Sequence, residues 1–327
     1  MEPKKCKILI VGIIVTVLSW VTLWNGKGIG QEKGYPNKPI EVIQNFPPGG
    51  AVDIGTRIVA NELSKELGVP ITMQYKAGAG GVIGASYVST SKPDGYTLLS
   101  TSAGPIISSP FLEKTPPYNP LKDFTPITHY VVNPNMLLTY SSSSLTSFDI
   151  VVKLSKEKPG ALNCTTSGVG TTSHFMLELL KTHGVDITHV PAKGGAPAVF
   201  NVLGKHVDLI IIVYANVLPQ IKSGELRILA TTNKIPKEPG VPTFTEKGFP
   251  EMESLSVWYG FLAPPNLPRP IQDQLGKAIR KVLQIPSVVK GLEDAGFLLE
   301  HKGPDEFKKK INEDCKVIEK IVKAAGL

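Results

Sequence analysis

The sequence predicts an α/β protein of two lobes, each a sheet covered by helices, and three observations carry that prediction. From Gly34 onward, strand-like and helix-like segments alternate, the pattern of parallel sheets flanked by helices. The chain has 327 residues, 42% of them hydrophobic and 19% charged, which is enough for two cores rather than one. Two long apolar runs, "FTPITHYVVNPNMLLTY" and "MESLSVWYGFLAP", read as places where the chain leaves one sheet and enters the other. Two crossings make both domains discontinuous, with a cleft between them and a two-stranded hinge. The expected division is 35–132 plus 254–327 for one lobe and 133–253 for the other.

The opening differs from the rest. "MEPKKCK" is basic, and Ile8 to Trp24 is an apolar run broken only by small polar residues, as in a secretory signal. No A-x-A site follows. Residues 1–34 are therefore expected to be an export signal or an N-terminal anchor, retained if it stays uncleaved, and the mature body is expected in the periplasm. A buried core helix is the competing reading, against which the Lys-rich flank argues.

"KPIEVIQNF" reads as a strand with Ile40, Val42 and Phe46 on one face, followed by a helix from Ile54 to Leu67 that Gly68 ends. "PITMQYK" is a second strand, "GAGGVIGASYVSTS" a glycine turn into a short helix, and "GYTLLSTSAG" a third strand. In "ALNCTTSGVGTTSHFMLELLKTHG" a strand and a Ser/Gly/Thr turn precede a helix with Phe175, Met176, Leu179 and Leu180 inward. "VDLIIIVY" is a buried strand, "ANVLPQIKSG" a helix and "LRILATT" a strand. The end is helical, over Ile271 to Leu283, from Pro286, and over Pro304 to Ala325, with prolines at helix starts.

The formal net charge is +7, of which residues 1–30 supply +3. The remainder is dispersed over helix faces, which excludes a nucleic-acid stripe and is compatible with a small anionic ligand. Cys6, Cys164 and Cys315 show no metal spacing, and Cys164 and Cys315 fall in different domains, so no disulfide is expected. Among six histidines there is no H-E-x-x-H, and no G-x-S-x-G occurs. The run after Gly78 fails G-x-G-x-x-G because Ile83 stands where glycine is needed, and close packing of a helix on the sheet explains it better. Neither a metal, a cofactor nor catalysis is predicted. His174, beside Ser173, reads as a packed or capping residue.

The chemistry lies in two strand–turn–helix elements. From Phe46 to Asp53, prolines stiffen a turn and glycines bare its backbone just before a helix. A helix N-terminus has unpaired N–H groups and about half a positive charge, and so suits an anion. "TTSGVGTTSH", Thr165 to His174, repeats the arrangement from the other lobe and adds hydroxyls. Pro48, Gly49, Gly50 and Ala51, with Asp53 fixing the turn or capping the helix, are expected on one side. Ser167, Gly170, Thr171, Thr172 and Ser173 are expected on the other. Ser102, Ala103, Lys193, Gly194 and Asn216 are expected along the remaining walls. Trp258 and Tyr259 read as core beside the hinge, with contact to the ligand as the lesser alternative.

The stretches "YPNKPIEVIQNFPPGGAVD", "GAGGVIGASYVSTSKPDGYTLL", "YNPLKDFTPIT", "KPGALNCTTSGVGTTSHFMLELL", "HVPAKGGAPAV", "GKHVDLIII" and "VWYGFLAP" together resemble the Bug-type extracytoplasmic receptors of tripartite tricarboxylate transporters. The resemblance implies a periplasmic-binding-protein fold of type II. It also implies a carboxylate pincer at Pro48–Asp53 and Ser167–His174, and delivery of a small organic carboxylate to membrane subunits; the receptor itself is expected to be a monomer and not an enzyme. Presentation of the ligand to a membrane sensor is the alternative role. Departures from the family's usual residues occur at Lys76-Ala77, at Ala192 and at Tyr214-Ala215-Asn216.

Overall fold

Eleven strands among the described residues form two mixed sheets. The computed structural model describes residues 34–112 and 116–326, so the expected export segment and Cys6 lie outside it. The first part of the chain runs β1 (Ile40–Gln44), α1 (Ala51–Leu67), β2 (Ile71–Tyr75), α2 (Val82–Ser89), β3 (Thr97–Ser102), a π-helical turn at Gly104–Ser108 and α3 (Ser109–Leu112). β4 (Thr125–Asn133) then passes through Pro134 into β5 (Asn135–Tyr140) of the other sheet. There follow α4 (Phe148–Glu157), β6 (Asn163–Thr166), α5 (Thr172–Thr182), β7 (Thr188–Pro191), α6 (Gly195–Leu203), β8 (Leu209–Val213), α7 (Leu218–Lys222) and β9 (Leu226–Thr231). The chain returns through β10 (Val257–Ala263) and ends in α8 (Arg269–Val282), α9 (Pro286–Asp294), β11 (Leu298–Lys302) and α10 (Pro304–Ala325).

One sheet has the order β11-β4-β10-β3-β1-β2 and the other β7-β6-β8-β5-β9. Only the helix-connected strands are parallel, namely β2, β1 and β3 in the first and β7, β6 and β8 in the second. β10 and β5, the strands by which the chain enters each sheet from the other, run antiparallel to their neighbours. The reason is topological: a parallel neighbour needs a crossover helix, and these two strands are not delivered by one.

Two details depart from the sequence reading. β1 is not one-sided, because Ile43 is buried along with Ile40 and Val42, as befits a strand covered on both faces. α1 begins at Ala51 rather than Ile54, since the first turn of a helix carries no apolar periodicity of its own. α4 and β11 lie between the segments that the pattern identified.

Tight packing fixes the helices. Trp258 is fully buried, and its indole N–H donates to Asp314 Oδ2 (3.0 Å), which joins α10 to β10. Burial pushes the Asp314 carboxyl up to about 6, against the opposing pull of Lys310. Cys164 and Cys315 are both buried and free. The glycine run serves close approach: a Cβ on Gly84 would stand 2.7 Å from Asn45 Cβ and 2.8 Å from the Lys76 carbonyl oxygen. Gly84→Ala is therefore expected to cost about 1–3 kcal/mol by overpacking against backbone that has no room to yield, measured as a lower urea midpoint at unchanged slope.

Candidate functional site

The loop after β1 is held from several sides. Buried Asn45 donates through Nδ2 to the Gly81 carbonyl (3.0 Å) and to Thr101 Oγ1 (2.9 Å), tying the loop to the glycine turn and to β3. Gly49, at φ +81°, turns its amide onto Asp53 Oδ2 (2.8 Å). Asp53 is only 3% exposed, and it also accepts from Arg57 Nε (3.0 Å) and the Tyr75 hydroxyl (2.7 Å). Burial opposes ionisation of this carboxyl. The Gly49 amide, the Tyr75 hydroxyl and the Arg57 guanidinium outweigh it and hold the group below the usual carboxylate range. Gly50 then adopts an extended conformation as the N-cap of α1 and offers no side-chain cap. The amides of the first turn thus lack intrahelical acceptors.

The second tip repeats this with hydroxyls. After β6, Thr171 caps α5: its Oγ1 accepts from the His174 amide (3.3 Å) and donates to the Gly168 carbonyl (2.7 Å). The Gly170 amide donates to His174 Nδ1 (3.2 Å), which requires that nitrogen to be unprotonated. His174 is buried, stacks on His189 with ring centroids 4.7 Å apart, and faces Glu178 through Nε2 at 3.5 Å. Burial lowers the titration of His174, partly offset by Glu178. Burial, and then the neighbouring His174, lower that of His189 to about 4. His174 is thus a packed residue that props the turn.

Both tips open on one cavity of about 700 Å³. It lies at the carboxyl ends of β1, β3, β6 and β8, the usual place for ligands on sheets of this kind. Pro48, Gly49, Gly50, Ala51, Ser102, Ser167, Gly170, Thr171, Thr172, Ser173, Gly194 and Asn216 all line it. Three expected residues do not. Asp53 is buried behind the loop and engaged as above, Ala103 is fully buried, and Lys193 is exposed in the loop before α6, outside the lining. Gly49 lines the wall but spends its amide on Asp53, and Gly170 spends its own on His174.

Phe46 and Val169, which fall inside the two turns that the sequence marked, also line the cavity, as does Tyr259, while Ser109 and Gly195 line it without having been expected there. Gly195 had a signal, as the neighbour of Gly194 at a helix start. Ser109 had none. No lysine, arginine, histidine, aspartate or glutamate lines the cavity among the described residues. Its polar groups are backbone amides, hydroxyls, the Asn216 amide and the Tyr259 phenol. Burial pushes that phenol up to about 12, so it remains a donor.

The sequence pattern of the tripartite tricarboxylate transporter family receptor, TctC, matches residues 56–327. The chain belongs to this receptor family. It is 34% identical over 296 residues to Protein BugT of Bordetella pertussis, covering 89% of this chain and 90% of that one. The structure of MatC from Rhodopseudomonas palustris with bound malate is similar at TM-score 0.75 and 28% identity, over 88% of this chain and all of that one. A second Rhodopseudomonas palustris protein, solved with adipate, is similar at TM-score 0.78 and 30% identity, over 89% and 98% of the two chains. The receptor therefore has the two-lobed periplasmic-binding-protein fold.

The imidazole pair gives the receptor a pH signature. An unfolded histidine binds its proton near the ordinary 6.5, whereas the folded His189 does so only near 4. The unfolded state thus holds more protons in between. The pair's contribution is complete above about pH 6.5 and is lost as pH falls toward 4. Urea midpoints are expected to fall across that window in the wild type and to fall less steeply in His189→Gln.

Proposed function

We propose that this receptor captures a small organic carboxylate between its lobes and delivers it to the membrane subunits of a tripartite tricarboxylate transporter, working as an exported, periplasmic monomer without catalysis. One observation carries the reading. Two helix N-termini that keep unspent first-turn amides, one from each sheet, open on a single cavity that has no charged side chain among the described residues. Helix ends of this kind favour negative charge. The malate and adipate held by the two related Rhodopseudomonas proteins are dicarboxylates, which supports one carboxylate per tip.

The contacts assigned to the ligand are the amides of Gly50 and Ala51 from one tip, and those of Thr172 and Ser173 from the other. Ser102, Ser167 and Asn216 complete them, since their side chains make no hydrogen bond to other described residues. Three to five charge-assisted bonds of about 1.5–3 kcal/mol each are of the order of the roughly −8 kcal/mol of a micromolar ligand, before the cost of association is subtracted. Lobes at 35–132 plus 254–327 and at 133–253 would close about the two strand crossings, because a ligand touching both tips stabilises the closed state alone. Against catalysis stands the lining itself, which offers hydroxyls but, among the described residues, no base beside them.

Thermal shift and calorimetry against a panel of mono- and dicarboxylates, with neutral sugars as controls, test this. Dicarboxylates are expected to raise the melting temperature, and Gly50→Pro, which removes a tip amide, to lose most of that rise. Stabilisation by neutral sugars but by no carboxylate would rule the reading out.

A further inference from the structure

The crossing from β4 to β5 carries Asn133 and Asn135, and Asn135 is fully buried directly behind the second tip. Its Nδ2 donates to the Leu255 carbonyl (2.8 Å) and to Thr172 Oγ1 (2.9 Å), and its Oδ1 accepts from Ser173 Oγ (3.1 Å). These bonds leave no freedom in the amide. A backbone carbonyl can only accept, so the nitrogen must face Leu255, and the oxygen must then face Ser173. The two hydroxyls consequently receive opposite roles. Ser173 spends its one proton on Asn135. Thr172 accepts a proton from Asn135, and its own proton has no acceptor among the described residues.

We infer that Asn135 is a positioning residue for carboxylate recognition. By donating to Thr172 Oγ1 it turns the Thr172 hydroxyl outward as an obligate donor to the anion, and it withdraws the neighbouring Ser173 hydroxyl from that task. Because the same amide holds the Leu255 carbonyl, at the start of the second crossing, the donor is fixed to the hinge itself. Asn133 has the same logic on the opposite side. Its Oδ1 accepts from the Ala215 amide (3.2 Å), so its Nδ2 faces the Tyr259 hydroxyl (3.4 Å) and leaves that proton toward the cavity. The Asn-Pro-Asn crossing thus sets the direction of hydrogen bonding on both walls. This inference rests on the carboxylate reading above.

Calorimetry on the full chain tests it, with C2 to C8 mono- and dicarboxylates, malate and adipate among them, as probes. Thr172→Val is expected to weaken binding about tenfold or more, and Thr172→Ser, which keeps the hydroxyl, to stay within about threefold. Ser173→Ala is expected to lower the melting temperature yet to keep affinity within about threefold, since its proton never reaches the ligand. In Asn135→Asp the new side chain accepts the Thr172 proton, so binding weakens. Adding Thr172→Val to it should cost no more than about twofold further, because the donor is already lost. A Thr172→Val protein that binds as the wild type does, or effects of the two substitutions that multiply, overturns the inference while leaving carboxylate capture intact. The threonine pair decides the matter even where Asn135→Asp does not fold. A wild-type chain that binds no carboxylate overturns both readings.

Discussion

The chain passes between its two sheets twice, and the pairing of those passes is the constraint on which the cavity depends. Val257 lies opposite Asn133 in the ladder, and beyond Pro134 the backbone of Asn135 exchanges bonds with Thr232: its carbonyl accepts the Thr232 amide (2.9 Å), and its amide reaches Thr232 Oγ1 (3.1 Å). Ser256 closes the arrangement by donating to Asn233 Oδ1 (2.7 Å). Three strands of chain thus meet at one polar, buried seam. Buried polar groups are costly when unpaired, so each partner in such a seam fixes the others. The helix tips face one cavity because this seam holds the sheets that carry them.

The recognition proposed above, with no charged side chain lining the cavity among the described residues, depends on the same geometry. Several lysines of the described helices are exposed and form ion pairs one helical turn apart, such as Lys309 with Glu313 and Lys323 with Glu319. Exposed pairs of this kind contribute little and do not reach the ligand site. Within the cavity, backbone amides and oriented hydroxyls supply positive potential at no desolvation cost of a buried ammonium. The price is paid in organisation: Asp53 with its three donors on one side, and His174 with Thr171 on the other, spend polar groups only to hold loops in place. Such preorganised donors need little reordering when a ligand arrives.

Much of this was legible in the residues. Alternating segments gave the α/β class because hydrophobic periodicity is a local property, and glycines with small hydroxyl residues marked both tips because bare backbone requires them. Asn-Pro-Asn marked the crossing, since such a triplet cannot continue a strand undisturbed. What each polar group does was not legible. Asp53 reads identically whether it faces a ligand or braces a loop, and only the distances to Gly49, Arg57 and Tyr75 separate the two. Lys193 stands next to a lining glycine in sequence and yet is not part of the lining.

The sequence by itself determined the class of fold, the two anion-suited turns and the absence of a metal or nucleophile motif, because each rests on residues within one short window. The tertiary structure alone decided the direction of the returning strands, the meeting of both tips on one cavity, and which hydroxyl protons remain to be given. Those depend on partners such as Asn135 and Leu255, 120 residues apart, whose encounter no local pattern encodes.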